Sequence, residues 1–239
     1  MRSLTLIAVL ALAGCSNTSD AAEPAGSGTT RTFAISDFSA VSLRGSDDVD
    51  VRVGTGFSVR AEGPRAELDK LEIVRDGDTL KIGRKKSLAG FGWGGGRRGV
   101  KVFVTMPRIT GAQIAGSGDL VIDRVEGQRF GGEAAGSGNL SIGALSVPEA
   151  RLSVAGSGDI DAKGRVERLT IDVAGSGSVA AGGVKARTAT VSVAGSGDVR
   201  ADVAGPARVS LVGSGDVDLG PQARCTVSKT GSGDVHCGG

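Results

Sequence analysis

Residues 191–201 read Val191-Ser192-Val193-Ala194-Gly195-Ser196-Gly197-Asp198-Val199-Arg200-Ala201. The odd positions are aliphatic or glycine, and the even ones are Ser192, Ala194, Ser196, Asp198 and Arg200. A period of two with one apolar stripe is the mark of a half-buried β-strand. The central Gly-Ser-Gly recurs. It begins at Gly116, Gly136, Gly156, Gly175, Gly195, Gly213 and Gly231, with spacings of 20, 20, 19, 20, 18 and 18 residues. After each copy comes Asp, Asn or Ser and then an aliphatic residue, from Asp119-Leu120 through Asn139-Leu140 and Ser178-Val179 to Asp234-Val235. The same parity runs through Leu152–Ile160, Ile171–Ala181 and Val209–Leu219, and no window carries a long helical period.

A strand that returns at one phase every 18–20 residues predicts an all-β fold, a parallel β-solenoid whose coils stack about 4.8 Å apart. Both glycines of the motif fall on the inward parity. Two readings of them stay open. Either two walls approach too closely for a side chain, or the chain bends there with φ > 0. In both, Gly stacks on Gly, which accounts for 41 glycines among 239 residues. With only 6 Pro the chain is not collagen-like, and 39% hydrophobic residues exclude charge-driven disorder. Six Phe, one Trp and no Tyr argue against an aromatic-lined catalytic pocket. Lys plus Arg number 28 against 26 Asp plus Glu, so no bulk charge points to nucleic acid.

Ahead of the array the chain is less regular. Met1-Arg2 and the apolar run Leu4–Leu12 form a cationic start and a core too short to span a bilayer as a helix, as in a secretory signal over residues 1–14. Leu12-Ala13-Gly14-Cys15 resembles the bacterial lipobox, which implies acylation of Cys15 and a lipid anchor in the cell envelope. Ser16 after that Cys, rather than Asp, implies the outer membrane. Residues 15–31 read as a flexible tether. The folded part is then 32–239, with an irregular portion over 32–109 and the regular repeats over 110–239. Gly45-Ser46-Asp47-Asp48-Val49 is a degenerate copy of the repeat. Pro64–Lys70 predicts one or two helical turns, and Asp76-Gly77-Asp78 a hairpin turn. This portion is expected to cap the open end of the solenoid.

The lipobox, GSDDVDV over 45–51, VRAEGPRAELDKLEIVRDGDTLKIGRK over 59–85, and the repeats AGSGDL (115–120) and AGSGDI (155–160) together resemble the autotransporter adhesin head GIN domain family. The resemblance covers residues 32–239. It implies a single-stranded right-handed parallel β-helix in a bacterial envelope protein without catalytic residues, an adhesin or binding scaffold.

Four groups of residues invite chemistry. Asp119, Asp159, Asp198, Asp216 and Asp234, diluted by Asn139 and Ser178, form a ladder beside a ladder of serines. Like charges about 5 Å apart repel by roughly 1 kcal/mol even in water. Turn capping by the side chains relieves this, and weak Ca²⁺ between rungs is the alternative, although Ca²⁺ wants more oxygens than one rung offers. The basic segment 83–99 holds Arg84, Lys85, Lys86, Phe91, Trp93, Arg97 and Arg98, a candidate contact for anionic glycan, headgroups or a partner protein, or else a plain connecting tip. Cys225 and Cys237 share the inward parity of the last repeat and predict a disulfide closing that end of the core. His236 is the only His and takes the outward parity, so neither a metal site nor a Ser-His-Asp set is expected. No cofactor is expected. The expected function is non-enzymatic: a lipid-anchored adhesin or scaffold presenting a repeated Ser/Asp face, with glycan or an envelope protein as partner. Alternatives are a polysaccharide-active enzyme and an accessory protein that docks a partner.

Overall fold

The computed structural model describes residues 29–85 and 99–238. The irregular portion forms seven strands and one helical turn: β1 (Thr30–Phe33), β2 (Ala40–Gly45), β3 (Asp48–Val53), β4 (Ser58–Glu62), α1 (Arg65–Leu68), β5 (Leu71–Asp76), β6 (Thr79–Arg84) and β7 (Lys101–Met106). Pro64 opens α1 where a missing N–H costs nothing. Gly77, at φ 60°, makes the tight turn between β5 and β6.

The repeats follow as β8 (Gly111–Gly116), β9 (Leu120–Ile122), β10 (Val125–Glu126), β11 (Arg129–Gly136), β12 (Leu140–Gly156), β13 (Ile160–Gly175), β14 (Val179–Gly195), β15 (Val199–Val203), β16 (Pro206–Gly213), β17 (Val217–Asp218), β18 (Arg224–Gly231) and β19 (Val235–His236). They stack in parallel as a β-solenoid of about six turns. The longest strands bend around the coil, with register shifts such as that between Asp161 and Lys163.

Coil order in space departs from chain order. The β2–β3 coil lies between two rungs: β8–β9 above, and β6–β7 below. Antiparallel strands then cover the lowest rung, β5 on β6, β4 on β7, and β1 on β4. The irregular portion thus blocks the edge that an uncapped solenoid would leave open.

The core is a set of in-register columns. One runs Leu43, Ile114, Ala134, Val154, Val173, Val193, Leu211. Another runs Val49, Leu120, Leu140, Ile160, Val179, Val199, Val217. All of these residues are buried. Aliphatic side chains of nearly one size at one phase are what allow identical coils to stack without voids.

Candidate functional site

The Gly-Ser-Gly-Asp corner is the most repeated local structure. Its first glycine has positive φ in each copy from Gly116 to Gly231, between 117° at Gly136 and 143° at Gly116. A Cβ there would also strike the coil beneath: on Gly195 it would lie 2.1 Å from the Gly175 carbonyl oxygen. At the second glycine the backbone approach alone decides, since a Cβ on Gly197 would lie 2.0 Å from the Gly177 oxygen. The positive-φ reading holds for the first glycine, and the reading of a close approach needs a correction for both. The close neighbour is the adjacent coil, not the facing wall.

Most backbone N–H groups of the corner find an acceptor in the adjacent coil. The Gly156 carbonyl accepts the N–H groups of Ser176 and Gly177, at 2.9 and 3.0 Å. The third N–H goes to a side chain. Asp119 Oδ1 accepts the N–H of Asn139, Asn139 Oδ1 that of Asp159, Asp159 Oδ1 that of Ser178, and Ser178 Oγ that of Asp198. Asp198 and Asp216 continue the ladder to the N–H of Asp216 and Asp234, at 2.9 and 2.8 Å. Asp, Asn and Ser share this position because each offers an acceptor oxygen at short reach. The serines of the motif, from Ser117 to Ser232, stand exposed along the same edge. Among the described residues no three His, Cys, Asp or Glu side chains converge as a metal site.

Arg84 takes a different place from that of a free loop cation. It ends β6, and its Nε donates to Asp47 Oδ2 at 2.7 Å while a second nitrogen binds Asp47 Oδ1. Its Nη1 also donates to Glu67 Oε2 at 2.6 Å. Lys85 Nζ donates to the Asp69 carbonyl at 3.0 Å. Arg84 is thus withdrawn from the candidate contact set by its own ion pairs. Lys86, Phe91, Trp93, Arg97 and Arg98 lie outside the described residues, as does Cys15 with the signal and most of the tether. Cys225 and Cys237 are joined, with Cα atoms 6.2 Å apart.

The longest wall of the solenoid carries a feature that the motifs do not announce. Its outward column through Thr79, Ala40, Gly111, Gly131 and Arg151 has three small residues in succession. They floor a depression of about 280 Å³ edged by Gln113, Glu133 and Ser153. A second depression, of about 370 Å³, adjoins it at Gly131 and Arg151 and is edged by Thr110, Arg129, Glu149 and Arg168. Gln113 Nε2 donates to Glu133 Oε2 at 2.8 Å, Arg151 pairs with Asp172 at 2.6 Å, and Arg168 pairs with Glu149. The hydrogen bond from Arg168 holds the Glu149 carboxyl below its usual range. The available signal was two glycines on the outward parity, outside the repeated motif.

A stack of repeated coils with a filled core, a capped lower end and an open polar wall defines the class: a rigid solenoid that presents surface rather than an enclosed pocket. The chain belongs to the family described as "Putative auto-transporter adhesin, head GIN domain", whose model matches residues 37–223. Among solved structures it is similar to a "putative lipid binding protein" from Parabacteroides distasonis, at 25% identity and a TM-score of 0.70 over 90% of this chain and 98% of that one. It is also similar to a "putative adhesin" from Bacteroides fragilis, at 22% identity and 0.75 over 90% and 99%. A third, a "putative adhesin" from Parabacteroides merdae, shares the fold at 16% identity and 0.68 over 87% and 95%. No curated protein matches the chain.

Proposed function

We propose that this protein is a non-enzymatic envelope lipoprotein, anchored through Cys15, that binds surfaces by many weak contacts along its solenoid. The observation that carries the reading is the corner ladder. It uses the Asp oxygens to satisfy backbone N–H groups and leaves the serine edge and the long wall as the presented surfaces. A repeated, rigid surface loses little entropy per contact, and simultaneous contacts multiply. The lipid supplies display at the outer membrane, because several acyl chains anchor stably where one does not. The partners that fit are glycan or another envelope protein.

Two measurements test this. Palmitate labelling of the wild-type protein should be lost in Cys15→Ser, which should leave the membrane fraction. Cells lacking the protein should adhere less to glycan-coated or host-derived surfaces. Unchanged adhesion would remove the adhesive role, and persistent labelling of Cys15→Ser would remove the anchor.

A further inference from the structure

We propose that the two adjoining depressions on the long wall form one trough that binds a neutral oligosaccharide. This rests on the surface-binding reading and names its ligand class and its site.

The floor comes first. Gly111 and Gly131 are in register, face outward and lack the positive φ of the corner glycines. A Cβ on Gly131 would meet nothing within 4 Å, and one on Gly111 would make ordinary contact with the Ala40 Cβ at 3.5 Å. Neither backbone conformation nor packing requires glycine here. Glycine inside a strand costs about 0.5–1 kcal/mol relative to alanine. Such glycines mark places where another group must come close to the backbone.

The shape comes next. The trough crosses six rungs, from Thr79 on β6 to Thr170 on β13, so at about 4.8 Å per rung it extends about 24 Å. It is open rather than enclosed. That geometry fits an extended chain lying along the solenoid axis.

The chemistry selects the chain. Among the lining residues Arg129, Arg151 and Arg168 face Glu133 and Glu149, and Asp172 pairs with Arg151 from beside the trough, so the cations are compensated and offer a polyanion little net field. Donors and acceptors alternate instead: the Gln113 amide against Glu133, Arg151 against Asp172, Arg168 against Glu149. These pairs hold planar groups in place before a ligand arrives. Planar guanidinium, amide and carboxylate groups bind two neighbouring hydroxyls at once, and each sugar hydroxyl both donates and accepts. Phe130, the one ring in the lining, is buried at 2% exposure, so stacking adds little. The single-site affinity is then weak and is raised by display of many copies on one cell.

The test uses the full-length protein in detergent, titrated with cellohexaose, maltohexaose and mannohexaose, their monosaccharides, and heparin as a polyanion. At least one neutral hexaose should bind at least about tenfold tighter than its monosaccharide, and tighter than heparin. Gly131→Leu, which fills the floor, should weaken that binding about tenfold without lowering the melting temperature. Glu133→Ala should weaken it while leaving every backbone hydrogen bond intact. No binding of any neutral hexaose, preference for heparin, or undiminished binding by both variants would overturn the trough. Adhesion by producing cells is read in parallel. Adhesion that needs the protein while no hexaose binds removes the trough and leaves the surface-binding reading. Hexaose binding without any adhesion phenotype does the reverse.

Discussion

Asp47 stands where every later repeat has its second glycine, and its carboxylate is fully buried against the guanidinium of Arg84. Its partner Arg84 ends β6, in the rung beneath. Above Asp47 the usual rule returns, since a Cβ on Gly118 would lie 2.0 Å from the Asp47 oxygen. The N–H of Val100 donates to Asp47 Oδ1 at 3.1 Å, so the carboxylate ties Arg84 at the end of β6 to Val100 just before β7. Removing one partner of a buried ion pair leaves a charge without compensation. Arg84→Ala should destabilise the fold toward the lower end of about 3–5 kcal/mol, because 27% of the Arg84 side chain stays exposed. The double change Asp47→Gly with Arg84→Met should cost less than the sum of the single losses. Denaturant unfolding of wild type, Arg84→Ala, the singles Asp47→Gly and Arg84→Met, and the double change measures both.

Glycine at Gly197 and glycine at Gly131 do opposite work, and alanine separates them. In Gly197→Ala the new Cβ would press on a carbonyl oxygen at 2.0 Å, and also on Val173 Cγ1 at 2.9 Å. Stacked backbone cannot yield that far, so loss of more than about 3 kcal/mol, or no soluble protein, is expected. Gly131→Ala meets open space and should be neutral or stabilising by about 0.4–1 kcal/mol. Equal melting temperatures for the two variants would refute the packing account of the corner.

The ladder makes a chemical prediction. Asp198→Ala leaves the N–H of Asp216 without its acceptor and should cost about 1–3 kcal/mol. Asp198→Asn keeps an acceptor oxygen, as Asn139 already does toward the N–H of Asp159, and should stay within about 0.5 kcal/mol of wild type. Because Oδ1 is used by the backbone, melts in EDTA and in millimolar Ca²⁺ should coincide. A large rise with Ca²⁺ would show that the ladder is a cation site after all.

Much of this was legible in the sequence, and the reasons are specific. The seven copies at one spacing dictate stacked coils, because Val193, Gly195, Gly197 and Val199 can share one buried face only in a strand. The hairpin about Gly77 and the turns after Pro64 follow from local rules. The threading of β6–β7 beneath β2–β3 was not legible, since no local pattern says which rung a strand joins. Nor was the role of Arg84. Within a run of basic residues nothing local distinguishes it, and its partners Asp47 and Glu67 lie 37 and 17 residues earlier. The signal for Asp47 was present as a charge at a glycine position. The trough is hidden for the opposite reason: among 41 glycines in the chain, Gly111 and Gly131 carry no local mark beyond their outward parity.

Acid should loosen the capped end. Glu67 is held below 4.5 by its hydrogen bond from Lys70 and then by that from Arg84. Asp69 is held below 3.8 by Arg31, and Asp76 below 3.8 by Lys81. A carboxyl whose folded pKa is depressed contributes stability that is present above its unfolded value and lost as pH falls through its folded value. Stability linked to these groups should therefore be level above about pH 5 and fall below about pH 4. All three sit in the irregular portion, so amide exchange of β5 and β6 should accelerate at low pH before that of β12–β14. Since Asp69 and Asp76 are exposed, added salt should shrink the effect.

The other end of the stack is protected differently. Lys229 occupies the column that reads Val173, Val193 and Leu211 in the coils before it. Its Nζ turns to the Gly233 carbonyl at 2.7 Å and approaches Asp234 Oδ1 at 3.6 Å. An inward charge on an outermost strand opposes pairing with another sheet. Val227 beside it is 46% exposed, so β18 would otherwise offer an apolar edge. Lys229→Leu should drive concentration-dependent end-to-end association, visible as a rise in sedimentation coefficient where the wild type is constant. The Cys225–Cys237 bond ties the same coil, so thiol titration of the native protein should find neither cysteine reactive. Replacing both by alanine should remove about 3 kcal/mol in the chain-entropy picture of a closed loop of this size. Two reactive thiols in the native protein would refute the closure, and an unaltered sedimentation profile for Lys229→Leu would refute the guard.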